Sequence, residues 1–137
     1  MYKVEGKFFV DGQIFPRDIK SLKEQNFQVV ICNRPNGEEE DQPSFEEIEK
    51  ACNKNNIKCI FIPISPGEIN PGKVFELASI IQEEKKTLAY CRTGNRSITQ
   101  WAFANAKELD IEIILNKCKN AGFDLSNLKD VLLAIKG

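Results

Sequence analysis

The segment from Cys91 to Ser97 combines a thiol, two guanidinium groups, a glycine and two hydroxyl groups. It lies between residues 88–90, which are typical of a buried strand, and a segment in which Ile98 and later apolar residues recur at helical spacing. The backbone N–H groups of such a strand-to-helix turn point inward, and the helix N-terminus adds positive potential. Because Gly94 permits a positive φ, we predict that this segment forms an anion-binding loop.

The thiol of Cys91 and the guanidinium of Arg96 are the groups in this loop that could do chemistry. The positive potential of the loop favours the Cys91 thiolate, which would be a nucleophile at neutral pH. Arg96 can hold two oxygens of one oxyanion with its planar fork. An isolated cysteine at a strand end would most simply be a packed side chain, but these neighbours favour a functional anion site. The other predicted members of the anion-binding loop are Arg92, Thr93, Gly94, Asn95 and Ser97, and Ser97 is expected to stabilise the thiolate as a leaving group.

Composition limits the classes of function. The chain has 137 residues, a formal net charge of -1 and no histidine. The near-neutral charge predicts no general attraction to nucleic acid or to an anionic membrane, so anion binding has to be local. The absence of histidine excludes zinc sites built on imidazole and nucleophiles activated by a histidine base. We therefore expect neither a metal nor a cofactor.

Length and cysteine pattern predict a single cytoplasmic domain that spans residues 1–137. A chain of this length can bury a core without disulfides or metals. It has no apolar stretch near the ~20 residues of a membrane span and no signal-peptide pattern at its N-terminus. The cysteines are odd in number and form no CxxC pair, which suits free thiols in a reducing compartment. They are Cys32, Cys52, Cys59, Cys91 and Cys118.

Hydrophobic patterns predict four strands that alternate with helices. The predicted strands are 7–10, 28–32, 58–64 and 87–90. Helices are expected to begin at Pro16, after Ser44 in an S-x-x-E capping box, after the N-cap Asn70, after the anion-binding loop, after the N-cap Asp110 and at Leu125. This alternation predicts an α/β fold in which a mostly parallel sheet of four to five strands carries helices on both faces.

Two residues of the longest predicted loop, residues 33–43, are candidates for the same site. Asn33 and Arg34 follow the predicted strand 28–32, and ligands of parallel sheets bind where the carboxyl ends of the strands meet. Both side chains could therefore line the pocket around Cys91. The plainer alternative is a solvated, variable connection.

The motifs CRTGNRS, from Cys91, and NRPNGE, from Asn33, resemble the phosphatase-like domain of bacterial beta-lactamase-hydrolase-like proteins. Residues 42–44, Gly12-Gln13 and residues 121–125 are also similar to that family, so the resemblance covers nearly the whole chain. It implies the fold of cysteine-dependent dual-specificity and tyrosine phosphatases. It also implies a phosphorylated substrate, with Cys91 as the nucleophile and Arg96 as the ligand of the oxyanion.

Two features of the sequence depart from those phosphatases. Their loop has five residues between the cysteine and the arginine and usually follows a histidine, whereas this loop has four and follows Tyr90. They also carry an aspartate general acid on the loop after the preceding strand. That loop here offers Glu68, and Asp41 is a more distant candidate. For either residue alone, a surface carboxylate is the simpler interpretation.

The short loop also resembles that of rhodanese-type sulfurtransferases, in which the cysteine carries a persulfide. Three functions stay open at this point. The first is a cysteine-dependent phosphatase with a thiophosphate intermediate, and the second is transfer of sulfur from a sulfane-sulfur substrate. The third is a non-catalytic module that binds an oxyanion such as phosphate or sulfate.

Overall fold

The computed structural model describes residues 1–137 and contains one five-stranded sheet with helices on both faces. The strands are β1 (Tyr2–Glu5), β2 (Phe8–Asp11), β3 (Val29–Cys32), β4 (Lys58–Phe61) and β5 (Thr87–Tyr90). The helices are α1 (Ile19–Glu24), α2 (Phe45–Lys54), α3 (Pro71–Gln82), α4 (Asn95–Asn105), α5 (Ile111–Asn120) and α6 (Lys129–Lys136). Short 3₁₀ turns at Pro16–Asp18 and Ser126–Leu128 precede α1 and α6.

The strand order β1-β2-β5-β3-β4 places β5 at the centre of the sheet. Only β1 is antiparallel to its neighbour. The ends of the parallel strands are in register, because Tyr90 pairs with Asp11 on one side and with Cys32 on the other. The residues that follow these strands therefore emerge together at one edge. The prediction of a mostly parallel sheet of four to five strands is confirmed.

The alternation of side chains along β3 divides the core into two layers. Val29 and Ile31 belong to a large apolar cluster with residues of α3, α4, α5 and α6. Val30 and Cys32 belong to a smaller cluster with residues of α1 and α2. Because all four residues of β3 are buried, the strand has no polar face.

Three predicted helix caps are present. The side chain of Ser44 accepts a hydrogen bond from the Glu47 N–H at 3.2 Å. Asn70 accepts one from the Lys73 N–H at 3.2 Å, and Asp110 accepts one from the Glu112 N–H at 2.8 Å. These side chains satisfy N–H groups that the first helical turn leaves unpaired.

Strand β1 was not predicted. Only Val4 of its four residues is buried, so the segment lacks the apolar signal of an interior strand. It pairs with β2 through a turn at Gly6, where φ is 53°. The predicted strand 58–64 is also shorter, because β4 ends at Phe61, although the N–H groups of Ile62 and Ile64 still donate to the carbonyls of Cys32 and Asn33.

Three helix boundaries differ from the prediction. The helix predicted after the anion-binding loop begins within that loop, at Asn95, and α3 ends at Gln82, two residues before Glu84, whose φ is 56°. The last helix begins at Lys129 rather than Leu125. Leu125 instead fills the core just before the 3₁₀ turn. Helix ends depend on caps and tertiary contacts that periodicity does not show.

None of the helices combines the length and the hydrophobicity that crossing a bilayer requires.

Candidate active site

The segment that links the central strand β5 to α4 is a tight turn around the thiol of Cys91. Cys91 is fully buried, and the Gly94 N–H donates a hydrogen bond to its sulfur at 3.2 Å. Gly94 has a φ of 96° and is the N-cap of α4. The thiol therefore lies at the floor of the loop, beside the positive end of a helix.

The carboxyl end of β2 supports this loop from one side. The Cys91 N–H donates to the Asp11 carbonyl at 3.4 Å, and the Gln13 N–H donates to the Arg92 carbonyl at 3.3 Å. A Cβ atom added at Gly12 would lie 3.0 Å from the Arg92 carbonyl oxygen. Glycine at this position allows the two backbones to approach each other closely.

Arg96, in the first turn of α4, forms a bidentate ion pair with Glu38 of the loop that follows β3. Its Nη1 and Nη2 donate to Glu38 Oε2 and Oε1 at 2.7 and 2.8 Å, and Nη1 also donates to the Ile64 carbonyl at 2.8 Å. Glu38 occupies the edge formed by the two Nη atoms. The Nε–Nη2 edge of the guanidinium is left for another acceptor.

Electrostatics agree with this pairing. Hydrogen bonding to Arg96 lowers the pKa of Glu38 to about 2, with a smaller contribution from Arg34. The same bonds raise the pKa of Arg96, and the nearby Cys91 adds to that increase. Both partners are therefore charged at neutral pH, and the arginine lies close to the thiol.

Arg34 is buried at the edge of the site, as its position after β3 predicts. Its Nε donates to Glu38 Oε1 at 2.9 Å, and its Nη1 donates to Gln13 Oε1 at 2.8 Å. Its Nη2 lies 3.1 Å from Glu39 Oε1, and the same oxygen lies 2.8 Å from the Nε of Arg92. The Arg92 side chain is 66% exposed, so it extends outward along the rim of the loop.

Ser97 and Asn33 form a hydrogen bond with each other that the sequence does not predict. The Ser97 hydroxyl donates to Asn33 Oδ1 at 2.8 Å, and Asn33 Nδ2 donates to the Ile62 carbonyl at 2.9 Å. The expectation that Ser97 stabilises the leaving thiolate stays a prediction, and it requires the hydroxyl proton to turn from Asn33 towards Cys91. Both side chains are buried and join α4 to the ends of β3 and β4.

The remaining predicted loop residues, Thr93 and Asn95, are exposed. The Thr93 hydroxyl accepts a hydrogen bond from the Asn95 N–H at 3.3 Å, which tightens the start of α4. Asn95 lines a cavity of about 300 Å³ on the Arg96 side of the loop, and a second cavity of about 300 Å³ lies beside Arg34 and Arg92.

Residues 1–108 match the family model for the phosphatase-like domain of beta-lactamase hydrolase-like proteins. The chain belongs to this family. A relative, the beta-lactamase hydrolase-like protein of Agrobacterium fabrum, is 29% identical over 126 residues. The match covers 90% of this chain but only 29% of that relative's length.

Solved structures show the same fold as this phosphatase-like domain. A proposed phosphatase of Neisseria meningitidis is 27% identical, with a TM-score of 0.86 over 98% of this chain and 96% of that one. Kinase-associated phosphatase, solved with its catalytic-site cysteine replaced by serine, is 16% identical. Its TM-score is 0.72 over 90% of this chain and 80% of that one. The predicted cysteine-phosphatase fold is confirmed, and the family to which the chain belongs is described as a phosphatase-like domain.

The two candidate general acids differ in their surroundings. Glu68 accepts hydrogen bonds from the Ser65 N–H, Lys73 Nζ and Asn70 Nδ2, and the first two of these are the main causes of its lowered pKa. A carboxylate stabilised as the anion is a poor proton donor at neutral pH. Asp41 is exposed and lies at the cavity beside Arg34 and Arg92.

The pKa is raised for three of the other four thiols, whereas hydrogen bonding with Cys59 lowers the pKa of Cys52. Desolvation raises the pKa of Cys32 and raises that of Cys118 to about 12. Hydrogen bonding with Cys52 and burial together raise the pKa of Cys59. The three thiols with a raised pKa stay protonated at neutral pH and act as small apolar groups.

Sequence reasoning missed three residues that contact the site arginines, namely Gln13, Glu38 and Glu39. The sequence leaves the loop 33–43 open between a pocket wall and a solvated connection, and of the acidic block 38–41 it marks only Asp41 as a candidate site residue. The sequence contains one indication of the ion pair between Arg34 and Glu38, because Glu38 follows Arg34 by four residues just beyond the end of a strand. Its pairing with Arg96, 58 residues later, required the fold.

Proposed function

We propose that this domain hydrolyses phosphate monoesters with Cys91 as the nucleophile and Arg96 as the principal ligand of the phosphoryl oxygens. The observation that carries this proposal is the position of the Cys91 sulfur at the floor of the β5–α4 turn, bonded to the Gly94 amide and close to Arg96. Kinase-associated phosphatase, which shares the fold, has a catalytic-site cysteine.

The reaction has two steps. The Cys91 thiolate attacks phosphorus, an S–P bond forms, and the ester oxygen leaves with the electron pair of the broken P–O bond and takes a proton from solvent or a nearby acid. Water then attacks the thiophosphate, so that inorganic phosphate leaves and the thiolate is restored. The loop amides and the free edge of Arg96 stabilise the equatorial oxygens in both steps.

The alternative is sulfur transfer, and the four-residue spacing between Cys91 and Arg96 favours it. In that reaction Cys91 would attack the sulfane sulfur of a donor, release the donor's leaving group and hold a persulfide. A thiol acceptor would then take the sulfur. The reaction needs no general acid, which agrees with the ionised state of Glu68.

One assay distinguishes these functions. The purified protein is incubated with an aryl phosphate and, separately, with thiosulfate and a thiol acceptor, and Cys91→Ser is the control. Release of phosphate by the wild type but not by Cys91→Ser supports the proposal. Consumption of thiosulfate alone would establish sulfur transfer. Binding of phosphate without either reaction would mean an anion-binding module.

Two broader expectations belong to the same proposal. Residues 1–137 form one domain, because β1 and α6 contribute side chains to the same apolar cluster as the central strand. The domain acts in the cytoplasm, a compartment that keeps the five unbonded cysteines reduced.

A further inference from the structure

Three arginines beside the loop are joined into one chain by two carboxylates. Glu38 lies between Arg96 and Arg34, and Glu39 lies between Arg34 and Arg92. Three guanidinium groups thus face two carboxylates. Asp41 lines the same cavity as Arg34 and Arg92, so the three arginines are balanced by three carboxylates, and two of these, Glu39 and Asp41, are exposed.

The central member, Arg34, is incompletely satisfied. The residue is 3% exposed, yet its Nη2 has no hydrogen bond of good geometry. The nearest acceptor is Glu39 at 3.1 Å, and the Glu39 side chain is 46% exposed. Buried guanidinium donors are normally paired, so an open position here points to an acceptor that comes from outside the chain.

Arg34 is one of the residues that line a cavity of about 300 Å³, and the exposed carboxylates of Glu39 and Asp41 lie in the same wall. Arg92 and Gln13 also line this cavity. The cavity is close to the site of phosphate binding, because Arg34 Nε and Arg96 Nη2 both lie within 3 Å of Glu38 Oε1. The two nitrogens are therefore separated by no more than about 6 Å.

We propose that Arg34 and Arg92 form a second anion subsite, so that the preferred substrate is a phosphate monoester with a second phosphate or a carboxylate a few bonds away. This inference rests on the proposed function, since Arg96 and the loop hold the reacting phosphate. The second group displaces the exposed Glu39 from both arginines. Glu38 keeps its bidentate pair with Arg96 and stays in place.

Calorimetric titration of the Cys91→Ser protein tests this subsite without turnover. The ligands are 3-hydroxypropyl phosphate, which has no second anion, propane-1,3-diyl bisphosphate and 3-phosphooxypropanoate. A charge-assisted contact predicts about tenfold tighter binding of at least one two-anion ligand than of the monoester. Comparison of the bisphosphate with the carboxylate shows which second anion is preferred.

Three further substitutions, each made in the Cys91→Ser background, locate the effect. Arg92→Gln should reduce the tenfold preference to about twofold, whereas Lys129→Gln should preserve it. Lys129 is a matched control, because it is 52% exposed and pairs with Glu112 at 2.7 Å on another part of the surface. Glu39→Gln should enlarge the preference, because it removes the competing carboxylate.

Equal affinity of all three ligands would overturn the subsite. Arg92→Gln and Lys129→Gln would also overturn it if they reduced the preference for two-anion ligands by the same factor. An unchanged preference in Glu39→Gln would also overturn it. Turnover by the wild type is measured separately with an aryl phosphate. If the wild type does not hydrolyse the aryl phosphate but two-anion ligands still bind more tightly, only the phosphatase proposal is contradicted. If the wild type hydrolyses the aryl phosphate but two-anion ligands bind no more tightly than the monoester, only the subsite is contradicted.

Discussion

At the scale of the residue, the two arginines of the loop have different surroundings and should have different importance. Arg96 is 13% exposed beside the thiol, whereas Arg92 is 66% exposed at the rim. Arg96→Lys should lower kcat/KM for an aryl phosphate by about 100-fold, because one ammonium cannot replace two parallel hydrogen bonds. Arg92→Lys should cause a much smaller loss. Equal losses in steady-state assays would mean that the oxyanion ligand is wrongly assigned.

Glu38 is expected to act as a positioning residue for Arg96. Glu38→Gln keeps the shape but removes the charge that holds both Nη atoms, so kcat should fall about tenfold or more and anion binding should also weaken. Glu38→Asp, which restores the charge on a shorter side chain, should recover part of the activity. Full activity in Glu38→Gln would show that the ion pair has no part in catalysis.

The same carboxylate makes stability depend on pH. Because folding lowers the pKa of Glu38 to about 2, its ionised form stabilises the fold above the ordinary pKa of 4.5. That contribution is lost as pH falls from 4.5 to 2. Urea unfolding should therefore show that the stability gap between wild type and Glu38→Gln narrows in this window. If the difference in unfolding free energy between wild type and Glu38→Gln stayed constant from pH 7 to pH 2.5, the lowered pKa of Glu38 would be contradicted.

The charged state of Glu68 predicts a preference for substrates with good leaving groups. General acid assistance is typically worth ~10²–10⁴-fold, and aryl oxygens need it less than alkyl oxygens. Aryl phosphates should therefore react much faster than alkyl phosphates, and Glu68→Gln should leave both rates nearly unchanged. A large loss restricted to alkyl phosphates in Glu68→Gln would instead identify this residue as the acid.

At the scale of the element, the turn between β5 and α4 depends on Gly94. Gly94 has a φ of 96°, and a Cβ atom added to it would lie 3.0 Å from Phe123 Cζ. Gly122 is a matched control, since its φ is 100° but no atom lies within 4 Å of the added Cβ. Gly122→Ala should cost about 1–2 kcal/mol of stability through its backbone conformation alone.

Gly94→Ala should cost more than this control and should also lower phosphatase activity, because the overlap displaces the amide that contacts Cys91. Thermal unfolding and aryl phosphate turnover measure the two effects. If the two alanine variants prove equally stable and equally active, the close packing of this turn against Phe123 has no functional consequence.

At the scale of the whole molecule, the C-terminal helices are part of the main core. Ile114 of α5 and Leu132 of α6 are fully buried in the same apolar cluster as Trp101. Residues 1–137 are therefore expected to unfold in one cooperative transition, monitored by Trp101 fluorescence and by far-ultraviolet circular dichroism. A truncation to residues 1–108 should lose most of its stability, because it exposes the apolar side of α4. Two separate transitions, or a fully stable truncation, would show that the C-terminal helices form a separate unit.

Local patterns made most of the elements predictable. The four parallel strands and three helix caps follow from apolar runs and from Ser44, Asn70 and Asp110, whose short polar side chains satisfy nearby N–H groups. Strand β1 was missed because it is mostly exposed and is stabilised by pairing with β2. The hydrogen bond between Ser97 and Asn33 could not be predicted, because the two residues are distant in sequence.

The sequence by itself determined the position of the turn that carries Cys91 and Arg96, since a cysteine, a glycine and an arginine between a strand and a helix form a local pattern. It also determined the order of the four parallel strands and of the helices, because periodicity is a property of neighbouring residues. Only the tertiary structure could assign Glu38 and Glu39 to the site arginines. Ion pairs between remote segments depend on which strand ends the sheet brings together, and here the sheet places β3 beside β5 with their carboxyl ends in register.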